Sequence, residues 1–147
     1  VGSEMCIRDR IYSEKYRHVD EYLCLRPFPQ NISDPEERAT KWRKYREGML
    51  QETGVSIFMF GNKKDNTTNK IIEASGCIQE FEIAKEKGNI IIPIGSTGSA
   101  ARTILEKVKD NISDSPYITA YIDVLEKETD VNSIIKIIMK IIKNNTD

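Results

Sequence analysis

Two short apolar runs stand out from an otherwise polar chain: Ser56-Ile57-Phe58-Met59-Phe60 and Ile90-Ile91-Ile92-Pro93-Ile94. Each stops at a glycine, the first at Gly61-Asn62-Lys63 and the second at Gly95-Ser96-Thr97-Gly98. Continuous runs of this length, rich in branched and aromatic side chains, fit strands buried on both faces. The residues between them, 61–89, leave room for a crossover helix, so the strands are expected to be parallel neighbours. Both glycine turns then fall at the carboxyl ends of adjacent strands, the edge of an open α/β sheet where ligands bind.

Elsewhere the spacing is helical. Residues 11–25 place Ile11, Tyr12, Tyr16, Val19, Tyr22 and Leu23 at intervals of three and four. Arg26-Pro27-Phe28-Pro29 ends that element in a stiff loop. The loop is either a connector with Phe28 tucked into the core, or a guanidinium and a ring placed over a ligand. Ser33-Asp34-Pro35-Glu36-Glu37 predicts a capped helix running to about Glu52 and closing at Gly54. Its buried stripe is read as Ala39, Trp42, Tyr45 and Met49, with Arg46 either solvated or reaching over the sheet edge. Residues 65–70 read as polar linker and 71–76 as a short apolar segment ending in a Ser75-Gly76 turn. Cys77, Phe81 and Ala84 then share one helix face, closed by Gly88. Ile118, Tyr121, Ile122 and Leu125 keep helical spacing. The final element, 130–144, has a broad isoleucine face, for core or subunit contact, and a solvated stripe of Lys136, Lys140 and Lys143.

The candidate chemistry gathers at the two glycine turns. Gly61 and Asn62 tolerate positive φ, and Lys63 adds a mobile positive charge. Gly95-Ser96-Thr97-Gly98 lets backbone N–H groups and two hydroxyls converge on an anion at a helix N-terminus, although no Gly-Lys-Ser/Thr follows to make a P-loop. Glu80 falls in the first turn after Gly76, where the helix dipole favours a carboxylate. It either complements that dipole or serves as a ribose-hydroxyl acceptor or general acid/base. Together these residues point to a nucleotide-type ligand. His18, the single histidine, is far from both loops, and no nucleophile is paired with a base.

Composition narrows the classes. At 147 residues the chain is one domain or part of one, and 22 Lys+Arg against 23 Asp+Glu give a net charge of -1, which argues against nucleic acid as a partner. Cys6, Cys24 and Cys77 form neither a metal-type nor a CxxC spacing and read as reduced thiols of a cytoplasmic protein. No secretory signal is visible, and no stretch approaches the ~18 apolar residues a membrane span needs. Residues 1–10 fit no element, and Met5-Cys6-Ile7-Arg8-Asp9-Arg10 resembles translated adaptor or assembly sequence. The fold is therefore sought in residues 11–147, as a domain lacking its N-terminal part, since a parallel sheet normally has more than two strands.

Five segments carry a resemblance: Arg26-Pro27-Phe28-Pro29; Trp42 with Tyr45-Arg46; Ile57-Phe58-Met59-Phe60-Gly61-Asn62-Lys63; Gly76-Cys77-Ile78-Gln79-Glu80-Phe81; and Ile92-Pro93-Ile94-Gly95-Ser96-Thr97-Gly98. In this order, from about Ile11 to the C-terminus, they resemble the C-terminal SLOG (STALD-type) sensor domains of Thoeris antiphage effectors. The resemblance implies a Rossmann-like α/β three-layer sandwich with a parallel sheet, incomplete at its N-terminus. It also implies a non-enzymatic sensor with no metal or resident cofactor. The ligand would be a cyclic ADP-ribose isomer made by a TIR-domain protein, and binding would activate an N-terminal sirtuin-like NAD+ hydrolase absent here. A homo-oligomer assembled through the full effector is implied as well. The ligand positions would be Arg26, Arg46, Gly61, Asn62, Lys63, Glu80, Gly95, Ser96, Thr97 and Gly98, with no catalytic residue. The family's early glycine loops are missing, and each charge-assisted hydrogen bond is worth roughly 1.5–3 kcal/mol. The isolated chain is therefore expected to bind weakly or not at all. Two other readings stand beside this one. Gly76-x-x-x-Glu80 overlaps the end of the loop pattern of LOG-type phosphoribohydrolases, without its Pro-Gly-Gly or threonine. The isoleucine-rich C-terminus would also suit a plain oligomerisation module.

Overall fold

The computed structural model describes residues 28–146. The expected helix over 11–25, with His18 and Cys24, lies outside the described residues, as do Arg26 and segment 1–10. The chain divides into two compact units, Val1–Tyr45 and Arg46–Asp147.

Helix α1 (Pro35–Gln51) starts as its sequence predicts. Asp34 Oδ2 accepts the Glu37 N–H at 3.1 Å, and Pro35 occupies the first helical position, where no donor is lost. Within the first unit, Trp42 Nε1 donates to the Pro29 carbonyl at 2.9 Å. The Phe28 ring packs against Trp42 and Tyr45, with centroids 5.7 and 5.0 Å away. Phe28, itself half-buried, is thus held by two aromatic rings of α1. The expected buried stripe is corrected: Ala39 is exposed, Trp42, Tyr45 and Met49 are half-buried, and the buried positions are Arg46 and Leu50. These two are four apart and so share one face.

In the second unit, β1 (Val55–Met59) runs parallel to β4 (Ile90–Ile94), in register from Val55↔Ile90 to Met59↔Ile94. The connection includes helix α2 (Ser75–Glu86), whose C-terminus is closed by Gly88 at φ 73. It also contains a hairpin that the sequence reading missed: β2 (Asn62–Lys64) pairs antiparallel with β3 (Ile71–Glu73). The polar linker is its loop. Asp65 accepts the N–H groups of Thr67 and Thr68, its own N–H donates to Lys70 O at 2.8 Å, and Asn69 takes φ 57. Three-residue arms with exposed Ile71 and Ile72 leave no alternation long enough to read.

After β4 come a 3-10 turn, Gly95–Thr97, and helix α3 (Ser99–Asp110). Two further 3-10 turns lead into α4 (Ile122–Lys127) and α5 (Val131–Asn145). Ile92, Ile104, Leu105, Ile118 and Ile141 are all 0% exposed, so the core joins β4 to α3, α5 and the turn before α4. β4 is buried on both faces, as expected. β1 is not. Its Phe58 packs on Phe81 of α2 with centroids 6.3 Å apart, while Ile57 and Met59 alternate onto the other face and are exposed. The α/β architecture with a parallel pair and helices packed on it is therefore observed.

Candidate functional site

At the carboxyl edge of the parallel pair the two glycine loops touch. β1 exits through Phe60 at φ 56 and Gly61 at φ 84. A Cβ on Gly61 would lie 2.6 Å from the Ala100 Cβ and 3.2 Å from Cys77 Sγ, so only glycine lets this backbone settle on α3 and α2. β4 exits through the Gly95–Thr97 turn, and Gly98 at φ 77 and Ser99 at φ 53 turn the chain into α3. The loops are also hydrogen-bonded to each other. Thr97 Oγ1 accepts the Phe60 N–H at 2.7 Å and donates to Ile94 O at 2.6 Å, and the Ala101 N–H donates to Phe60 O at 3.0 Å. The single donor proton of Thr97 is therefore committed to the protein. Ser96 Oγ is buried with no hydrogen-bond partner, and no side chain caps the start of α3.

A second constellation abuts this seam through Cys77. Arg46 Nε donates to Glu80 Oε1 at 3.1 Å and Arg46 Nη1 to Gln79 Oε1 at 2.9 Å. The guanidinium crosses Gly76, where a Cβ would stand 2.5 Å from Nη2. The side chains of Arg46 and Glu80 are 10% and 23% exposed, so the pair is largely out of water. Burial pushes the Glu80 carboxyl above its ordinary range, against the opposing pull of Arg46. Burial, reinforced by Glu80, likewise raises the Cys77 thiol and keeps it protonated, so Cys77 is no activated nucleophile. Two expectations are corrected. Ser75-Gly76 opens α2 instead of forming a turn, and Glu80 therefore lies in the second turn. Its nearest positive partner is Arg46, not the helix dipole, whose effect fades beyond the first turn.

The remaining predicted positions fall elsewhere on this edge. Asn62 and Lys63 are exposed on β2, because the chain continues from Gly61 into the hairpin and does not turn at Lys63. Beside the loops lies an open-sided chamber of about 500 Å³, lined by Met59, Phe60, Ile94 and the Ser96-Thr97 loop, and by Ile134, Ile135 and Ile138 of α5, with Met59, Phe60 and Ile135 exposed at its mouth. Among the described residues no His, Cys, Asp and Glu cluster could hold a metal, and no helix is long and apolar enough to cross a membrane. Sequence reasoning missed Gln79 and Phe60. For Phe60 the signal was present, as a large aromatic placed directly before the glycine that ends an apolar run. For Gln79 there was none, because its role depends on where α1 delivers Arg46.

The model of STALD, the Sir2- and TIR-associating SLOG family, matches residues 2–145. The NAD(+) hydrolase ThsA of Acinetobacter baumannii (strain 532279) is 36% identical over 129 residues, 82% of this chain and 27% of that protein. The NAD(+) hydrolase ThsA of Enterococcus faecium is 40% identical over 97 residues, 66% of this chain and 19% of that protein. That of Bacillus cereus (strain MSX-D12) is 38% identical over 104 residues, 71% and 21% of the respective chains. The matched region thus spans only 19% to 27% of the length of these relatives. From its second residue to within two of its last, the chain belongs to the Sir2- and TIR-associating SLOG family.

Proposed function

We propose that this domain is the signal-sensing, non-catalytic part of a cytoplasmic antiviral NAD(+)-hydrolase effector. Its signal is a cyclic ADP-ribose isomer made by a TIR-domain protein, bound at the carboxyl edge of β1 and β4. Hydrolysis of NAD+ belongs to a separate sirtuin-like domain of the longer protein, which works as a homo-oligomer. The observation that carries this reading is the seam between the two glycine loops, which brings Gly61, the Gly95–Thr97 turn and the start of α3 to one edge. That start has no side-chain cap, so its N–H groups other than those of Ala101 and Arg102, which donate to Phe60 O and Gly98 O, suit a phosphate. Lys63, on the exposed hairpin arm, supplies positive charge to the same anion. Glu80, held by Arg46, accepts a ribose hydroxyl.

Calorimetric titration with cyclic ADP-ribose isomers tests the reading, on this chain and on a longer relative that contains the domain. Each charge-assisted hydrogen bond contributes roughly 1.5–3 kcal/mol, so Lys63→Glu and Glu80→Gln are each expected to weaken binding about ten- to a hundredfold. A longer protein that gives no heat with any isomer would overturn the sensor reading. Base release from nucleoside monophosphates would then be the assay to run.

A further inference from the structure

Phe60 is held in an arrangement that stability does not favour. Its backbone is left-handed, at φ 56, a region that bulky L-residues avoid. Its side chain is also 54% exposed, so little apolar burial offsets the strain. Both of its backbone groups are tied, the N–H to Thr97 Oγ1 at 2.7 Å and the carbonyl to the Ala101 N–H at 3.0 Å. Strained residues that their surroundings over-determine in this way cluster at ligand sites. Phe60 stands at the chamber of about 500 Å³, whose other walls include Met59, Ile94, Ile134, Ile135 and Ile138. That volume is in the ~300–1,000 Å³ range of small-molecule sites, and the walls are apolar like those sites. The charged members of the candidate site, Lys63 and the Arg46–Glu80 pair, are not among its walls.

We propose that this chamber takes the planar heteroaromatic base of a nucleotide-type ligand, with Phe60 as the ring on which the base stacks. The proposal rests on the signal-binding reading above and divides that site by chemistry. Sugar and phosphates meet the polar seam and Glu80, while the base leaves water between Phe60 and the isoleucines of α5. An aromatic face accepts any base by stacking, and such a contact is worth about ten- to a hundredfold in affinity. Thr97 is a positioning residue in this arrangement. Its hydroxyl fixes the Phe60 N–H and so aims the ring.

The test is methyl and aromatic NMR of the chain, titrated to millimolar concentration with AMP, with ribose 5-phosphate and with cyclic ADP-ribose. AMP and cyclic ADP-ribose are expected to shift Phe60, Ile94, Ile135 and Ile138, and ribose 5-phosphate to leave them in place. Phe60→Gly separates stacking from folding, since glycine removes the ring and also relieves the left-handed strain. Its melting temperature is expected to hold or rise while affinity for the two base-containing ligands falls at least tenfold. Phe60→Trp is expected to keep that affinity. Cyclic ADP-ribose shifts confined to methyl and ring signals outside the chamber, or Phe60→Gly binding as the wild type does, would overturn the chamber proposal and leave the sensor reading intact. AMP shifts in the chamber without any response to cyclic ADP-ribose would keep the chamber and remove that one isomer as its signal. Silence from all three ligands would overturn the chamber proposal, while the sensor reading stands or falls with the isomer titration of the longer relative.

Discussion

Arg46 is 8% exposed, yet it carries a full positive charge into the contact between α1 and α2. What makes this tolerable is the geometry around it: two side-chain acceptors, one of them Glu80, and a glycine under the guanidinium. Removing one member of a buried pair leaves the other uncompensated, so Arg46→Met is expected to destabilise the fold by about 3 kcal/mol in urea denaturation. Glu80 predicts a pH effect of definite sign. Its folded-state pKa is raised above the ordinary value of 4.5, with burial outweighing Arg46. The native state therefore binds more protons than the unfolded state just above pH 4.5, and stability falls as pH rises through that window. Glu80→Gln should remove that loss, and denaturation curves of the two proteins from about pH 4 to pH 7 would show it. A variant that keeps the wild-type slope would show that Glu80 is not the group responsible. Gly61 answers to sterics alone. Gly61→Ala must hold φ 84 with its Cβ 2.6 Å from that of Ala100, and a loss of about 2 kcal/mol is expected in thermal or chemical unfolding.

The loops that leave β1 and β4 behave as one element because a threonine hydroxyl sits between them. Thr97→Val keeps the shape but leaves the Phe60 N–H without its partner. A loss of about 1–3 kcal/mol is expected, with faster amide exchange at Phe60 and Ala101 and unchanged protection along β4. Thr97→Ser should restore both. The sequence reveals the two strands, their parallel pairing and the glycine exits, because each is written in a local run of residues. Helix α1 is equally legible, since its cap lies in five consecutive residues, Ser33 to Glu37. The hairpin is not, because its arms are three residues long and hold together by pairing with each other. Nor is the exposed face of β1, since an apolar run does not say whether both faces are covered.

A ligand of the proposed kind would act on the whole molecule through mass action. At a concentration 100 times Kd, a ligand that binds only the folded state adds about 2.7 kcal/mol, which for a chain of 147 residues raises Tm by roughly 5–11 °C. A cyclic ADP-ribose isomer that leaves Tm unchanged at saturating concentration would count against the proposed signal.

Local sequence settled what neighbouring residues can settle among themselves: the two five-residue strands and where α1 begins. Folding settled the rest, because it depends on residues far apart in the chain. Arg46 meets Glu80 across 34 positions, and Thr97 reaches Phe60 across 37. The chamber beside Phe60 exists only because α5 returns to the edge of β1 and β4. No spacing rule reaches that far, since such pairings depend on how the assembled helices and strands bury their apolar faces together.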